Sequence, residues 1–374
     1  RRLDGLPLAI ELAAAQAVAA SPSEILAAVN DRLGGLADPR RTVERHRSLD
    51  AVFGWSYGML DQAEREAFER LAVFAGGWTT AAAFDVADAK PADLAALVER
   101  SLVTPQFGGD VRFSMLEPVR QFAEARLAER CEIDQARGRY AAWAVEFAEA
   151  ADAGLRGPDE ADWRAGLDTE LDNLRATHRW CLDHDPELSI RLAGSLYRYT
   201  WSGAPSEVST WAAQAVSRFP DFSHPRLPAA YAVAALGWCF RGDLGAARAL
   251  AEAALAKATE DPVSARFAWE ALGDIETWLG NFDRAVPFYD RAIELARLAG
   301  DDHQAAISLF DRALCPAYSG RGDEAIAACD ANAPLVGTVR NPSLEAWSDY
   351  VNGEVRLDRA PVAALPYLRR SVAA

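Results

Sequence analysis

Gly54-Trp55-Ser56-Tyr57-Gly58 matches G-x-S-x-G, the turn that presents a nucleophilic serine in α/β-hydrolases. That chemistry needs a strained strand-to-helix turn lifting the hydroxyl above a parallel sheet. No strand pattern precedes Gly54, and Leu49, Val52, Phe53 and Leu60 fall on one helical face instead. The match is read as chance, and a hydrolase is excluded. His178, Cys181 and His184 could bring three soft ligands to one helix end. Zinc takes four protein ligands, or three and a water, and no second pair completes this set, so no metal site is expected. Arg40, Arg41, Arg45 and Arg47 around His46 could grip a phosphate but read as a solvated linker. No G-x-x-x-x-G-K-[ST] occurs, and neither lysine, Lys90 or Lys257, follows a glycine-rich turn. The phosphate-gripping loop of a nucleoside triphosphatase is therefore missing from this sequence, and no catalytic residue is assigned. Eleven tryptophans, eight of them from Trp163 onward, are read as inter-helix core rather than a ligand groove.

The 374 residues carry 39 basic and 55 acidic side chains, a formal charge of −16. Such an acidic chain lacks the basic footprint of a general nucleic-acid or anionic-membrane binder. Five cysteines, an odd number with no C-x-x-C pair, are expected to be reduced and mostly buried, as in a cytoplasmic protein. The longest apolar run, Leu6 to Ala20, is interrupted by Glu11 and Gln16 and is too short to span a bilayer. The chain opens in helical register at Arg1-Arg2-Leu3-Asp4 without an initiator Met and reads as part of a longer polypeptide.

The elements that must position any site are mainly helical. Residues 1–60 read as a helical segment, with Pro7 in a first turn and a Ser21-Pro22-Ser23-Glu24 capping box. A further helix runs from about Ser48 to Leu60. Residues 61–130 predict three helices (about 61–75, 79–88 and 92–101), then strands Leu102–Phe107 and Val111–Met115 around Gly108-Gly109-Asp110, then a helix from Glu117. Three helices and one β-hairpin outline a winged helix. Residues 131–185 form a helical connector. From 186 to 374 the sequence repeats itself: Ala235-Leu236-Gly237, Gly242-Asp243-Leu244 and Ala247 return as Ala271-Leu272-Gly273, Gly280-Asn281-Phe282 and Ala285. They return again as Ala313-Leu314, Gly320 to Asp323 and Ala325, and Ala364-Leu365-Pro366-Tyr367 echoes Ala285-Val286-Pro287-Phe288. Small residues where two helices meet and a Gly-Asp or Gly-Asn turn predict an α-solenoid of tetratricopeptide-like helix pairs, with Ala247, Ala285 and Ala325 buried.

Gly5-Leu6-Pro7-Leu8-Ala9-Ile10-Glu11-Leu12-Ala13 resembles the GxP segment of the signal transduction ATPases with numerous domains, the STAND class. The nearest likeness is to LuxR-type or cyclase-linked bacterial regulators. Trp55-Ser56-Tyr57 and Leu71 to Trp78 resemble their winged-helix entry. Arg112 to Ala123 is similar to the stretch holding their Met-His-Asp motif, and Glu170-Leu171-Asp172-Asn173-Leu174-Arg175-Ala176 to the opening of their helical repeats. The resemblance implies that Pro7 lies near a bound adenine, with Gly5 permitting the approach. It also implies that Met115, Leu116 and Glu117 stand at the switch motif. Leu116 occupies the histidine position, so the phosphate contact made there is not carried over. ATP or ADP with Mg would bind an upstream domain of the same polypeptide, and no cofactor is implied within this fragment.

These features imply the regulatory and sensor portion of a transcriptional or signalling regulator. The winged helix would clamp the nucleotide state, and the repeat groove would take a protein, peptide or small-molecule inducer. A tetratricopeptide-like scaffold without switching is the second reading, and a DNA-binding winged helix the third. Against the third, residues 61–130 hold 12 acids and 8 bases.

Overall fold

The structure, a computed structural model, describes residues 53–108, 111–204, 206–258 and 262–373. Gly5, Pro7 and the Arg40–Arg47 cluster lie outside the described residues. The chain divides into two compact units, up to Ala144 and from Val145 onward.

In the first unit, α1 (Gln62–Leu71) begins at a capping box. The Asp61 side chain accepts from the Glu64 amide, and the Glu64 carboxylate accepts from the Asp61 amide, both at 2.9 Å. Then come β1 (Trp78–Thr79), α2 (Thr80–Ala87), α3 (Pro91–Glu99), β2 (Thr104–Gln106), β3 (Arg112–Ser114) and α4 (Glu117–Glu129). The strands form an antiparallel sheet in the order β1-β3-β2, with Trp78 opposite Phe113 and Pro105 opposite Phe113 on the other side. Phe53, Phe68 and Phe122 are buried, and their rings meet with Phe53–Phe122 centroids 5.8 Å apart.

Two expectations are corrected here. The first helix stops at Leu71, and β1 follows as a third strand too short to show alternation in the sequence. The β2 strand starts at Thr104, not Leu102, because the Leu102 and Val103 amides both donate to the Leu97 carbonyl at the end of α3. A helix cap claims those donors before the ladder can. Where β1 begins, Gly77 has φ +77° and a Cβ there would sit 2.6 Å from the Phe113 carbonyl oxygen. Gly77→Ala is expected to cost at least about 1–2 kcal/mol from the left-handed backbone alone, read as a lower thermal midpoint. An unchanged midpoint would mean that this corner relaxes freely.

The helix α5 (Ile133–Gly154) runs from the first unit into the second. The second unit then holds α6 (Glu160–Thr169), α7 (Leu171–His184), α8 (Pro186–Ser195), α9 (Tyr197–Trp201) and α10 (Ser206–Arg218). Four helix pairs follow. They are α11 (Leu227–Phe240) with α12 (Leu244–Lys257), α13 (Arg266–Trp278) with α14 (Phe282–Leu298), α15 (Asp302–Tyr318) with α16 (Gly322–Val339), and α17 (Pro342–Glu354) with α18 (Pro361–Ala373).

The turns inside the first three pairs are chemically alike. Gly242, Gly280 and Gly320 have φ between +77° and +80°, and each donates to a carbonyl three residues back. The next residue, Asp243, Asn281 or Arg321, donates five back, to Trp238, Glu276 and Pro316. Glycine takes the left-handed position that closes a helix in this way. Ala247, Ala285, Ala325 and Ala364 are all 0% exposed, which places the alanine register where the sequence puts it. At Gly273 and Gly353 a Cβ would lie 2.7 Å from the Tyr289 ring and 2.5 Å from Leu368, so only glycine lets these helix pairs close.

Candidate functional site

The sequence-predicted candidates resolve first. Leu116 is the N-terminal flanking residue of α4 and is 48% exposed. Glu117 takes both forks of the Arg120 guanidinium at 2.9 Å, and this pairing lowers its carboxyl pKa even against partial burial. Met115 is half-buried beside them. The three residues do share one surface corner, where β3 meets α4. Ser56 is helical and fully buried, so it is no exposed nucleophile. His178 is 3% exposed, pairs through Nε2 with the Gln214 Oε1 at 2.8 Å and stacks on Trp211. Burial pushes the Cys181 thiol up to about 12, and His184 stacks on Trp180. Among the described residues no group of three or more His, Cys, Asp or Glu could hold a metal. Cys181, Cys239, Cys315 and Cys329 are buried free thiols, while Cys131 is exposed. Trp278 is half exposed and departs from the core reading, whereas Trp78 and Trp211 fit it.

The chemistry that the sequence reading missed lies on the inner side of the repeat pairs. The helix α8 ends where the Ser195 hydroxyl donates to the Arg191 carbonyl at 2.7 Å, a bond that competes with the helix ladder. The chain resumes as the short α9, which turns its side chains onto the repeats. Tyr197 stacks on Phe267 with ring centroids 4.1 Å apart. The Arg198 guanidinium lies 5.4 Å from the Phe267 centroid and donates to the Gln304 side chain. Trp201 meets Trp347 edge-on at 6.0 Å. Helices α13, α15 and α17 are thus bridged by α9.

Around α9 sit three carboxyls from two helices, Glu270 and Asp311 buried and Asp274 half-buried. Asp274 accepts from the Tyr289 hydroxyl at 2.8 Å and Asp311 from the Trp347 indole at 3.1 Å. Glu270 is 0% exposed, and neither of its oxygens has a hydrogen-bond partner. Burial pushes the Asp274 carboxyl up to about 6. Burial, then repulsion from Asp274, drives Glu270 and Asp311 well above the usual carboxylate range. Asp301 behaves oppositely. Burial works against its charge, but Arg198, Arg156 and Arg266 together hold it down at about 2.

The start of this unit is pinned to its last repeats. The Asn341 side-chain amide donates to the Leu155 and Gly157 carbonyls at 3.0 and 3.2 Å. The Ser343 amide donates to Glu160 at 2.9 Å, and Arg156 reaches Asp301 at 3.4 Å. Helices α13, α15 and α17 are therefore covered in part by the chain's own side chains.

This arrangement of a winged helix followed by closed helix pairs has known counterparts. The tetratricopeptide repeat family model matches residues 264–328. A solved structure from Pyrococcus horikoshii, a signal transduction ATPase with numerous domains bearing a tetratricopeptide repeat sensor, superposes with a TM-score of 0.52 at 14% identity. That match covers 98% of this chain and 59% of the other. In fold, the chain is similar to a STAND protein with a repeat sensor. In sequence, it is 32% identical over 369 residues to a Mycobacterium bovis protein that carries the name of an HTH-type transcriptional regulator, covering 91% of this chain and 40% of that one. An uncharacterized protein from the same organism is 39% identical over 154 residues, covering 37% of this chain and 38% of that protein. The chain thus spans about two fifths of the length of the curated relatives it matches. Among the described residues no helix is long and apolar enough to cross a membrane.

Proposed function

We propose that this chain is the regulatory and sensor portion of a longer, nucleotide-binding transcriptional regulator. In this reading the winged helix clamps the nucleotide-binding domain in cis, with Pro7 and Gly5 near the adenine and Met115 to Glu117 at the interface. The repeat unit takes the input, a protein, peptide or small-molecule inducer, and relays it. The chain itself hydrolyses no ATP.

The observation that favours a sensor over an inert scaffold is the buried charge on the inner face. Glu270 has no partner, and Arg198, 2% exposed, leaves Nε and Nη1 unpaired. Burying such groups costs stability that apolar residues of similar size would restore. A scaffold has no use for that cost. A switch does, because it keeps the closed state within reach of an open one, and a ligand moves the balance only by preferring one of the two.

The test is deletion of residues 186–374 from the longer protein. Altered nucleotide exchange or basal transcriptional output is expected. An unaltered exchange rate with lost assembly would make the repeats a scaffold instead.

A further inference from the structure

In a chain of net charge −16, one cleft of the second unit gathers cations. Its volume is about 330 Å³. Three arginines from three segments line it: Arg156 after α5, Arg226 before α11 and Arg266 at the start of α13. Acids fix each of them in place. Arg226 holds Glu149 at 3.2 Å and Asp152 at 3.7 Å, Arg156 holds Asp152 at 2.6 Å, and Arg266 holds Asp301 at 3.4 Å. Two further guanidiniums lean on the same acids, Arg191 on Glu149 at 2.8 Å and Arg198 on Asp301 through its field. Five arginines thus share Glu149, Asp152 and Asp301. Glu187, 60% exposed and 3.9 Å from Arg191, and Glu146 add negative charge beside Arg191, and Glu270 and Asp311 lie within the field of Arg198.

Pairing inside the wall is incomplete on both sides: Arg156 Nε and Arg198 Nε and Nη1 are buried without an acceptor, and Asp152 Oδ1 without a donor. Burial lowers the Arg266 pKa despite the pull of Asp301, and repulsion from Arg156 and Arg198 adds to the fall. Glu149 and Asp152 also line the cleft, and Phe267, Ala229 and Val263 give it an apolar side.

We propose that this cleft binds a small organic anion, its carboxylate or phosphate held by Arg156, Arg226 and Arg266 and its apolar part against Phe267. Guanidiniums already oriented by carboxylates hold their remaining N–H groups in fixed directions, and such groups suit planar or tetrahedral oxyanions. The volume sits at the small end of ligand pockets, which suits a metabolite rather than a peptide. The site also joins the segment after α5 to the start of α13, so an occupant strengthens the closure made by Asn341 and Ser343. The inference rests on the repeat unit being the input domain and names the class of inducer.

Isothermal titration of the 374-residue chain with inorganic phosphate, glycerol 3-phosphate and succinate, at constant ionic strength, tests it. Saturable binding of at least one is expected, with glycerol 3-phosphate against succinate telling a phosphate headgroup from a carboxylate. Arg266→Gln should weaken that binding about ten-fold or more. Ala229→Leu, which leaves every ion pair intact and fills the apolar side, should weaken binding of the two organic anions with little change in circular dichroism. No saturable heat from any of the three, or equal affinities in wild type and both variants, would overturn the site. Such a failure leaves the deletion experiment untouched, whereas a scaffold result there leaves the titration readable.

Discussion

Ala285→Arg is expected to destabilise the repeat unit by about 3–5 kcal/mol, the size of loss seen when a charge is left buried without a partner. Ala285 is 0% exposed on α14 and packs with Tyr289 and Cys315, both also buried. Its methyl group fills the gap where α14 meets the inner helices. A guanidinium there must displace those neighbours and give up its hydration, and overpacking alone accounts for about 1–3 kcal/mol. Ala363→Arg, on the exposed side of α18 beside the buried Ala364, is the control and should change stability by no more than about 0.5 kcal/mol. Circular dichroism melts of both variants check the difference. Equal midpoints would show that the alanine register does not mark the helix interfaces.

The second large effect has the opposite sign and depends on pH. Glu270→Met should stabilise the repeat unit by about 1–4 kcal/mol near pH 7.5, and the gain should disappear near pH 4. In the unfolded chain the carboxyls of Glu270, Asp274 and Asp311 lose their protons around their ordinary values of 4.5 and 3.8. In the folded unit Asp274 holds its proton up to about 6, and Glu270 and Asp311 are pushed well above their ordinary values. The folded state therefore binds more protons, so the stability tied to these groups is whole below about pH 4 and falls as pH rises through the folded values. Methionine, of similar length and without a titrating group, removes the share due to Glu270. Asp301 runs the other way, since its contribution is lost only as pH falls toward 2. Melting curves of wild type and variant at both pH values decide the matter, and a pH-independent difference would mean that Glu270 is not held protonated.

In the switch proposed above, a buried carboxyl pushed well above its ordinary range, close to an arginine with unpaired nitrogens, would weaken the inner face where α9 bridges three repeats. The Arg-lined cleft lies at the edge of the same network through Asp301, which connects Arg156, Arg198 and Arg266. An anion there would add to the negative charge of Glu149, Asp152 and Asp301.

The repeat register was legible in the amino-acid order because it depends on local requirements. A left-handed turn needs glycine, a close helix pair needs alanine or glycine, and both recur at a near-constant interval, so Gly242, Gly280, Gly320, Ala247, Ala285 and Ala325 announce themselves. The winged-helix outline was legible for the same reason, apart from Trp78–Thr79, since two residues are too few to show a period, and Leu102 and Val103, whose amides go to the end of α3. The charged inner face was not legible. Glu270 and Asp274 stand four apart among Phe267, Ala271, Leu272 and Ile275, and that spacing on an apolar stripe was the available signal. By itself it equally describes a solvated edge of the helix. Only the tertiary structure decided otherwise, because the break at Leu196 turns α9 inward and Asn341 pins residues 155–157 to the last repeats. These contacts join positions up to 186 residues apart in the chain, and no local pattern encodes which distant helix will bury a charge.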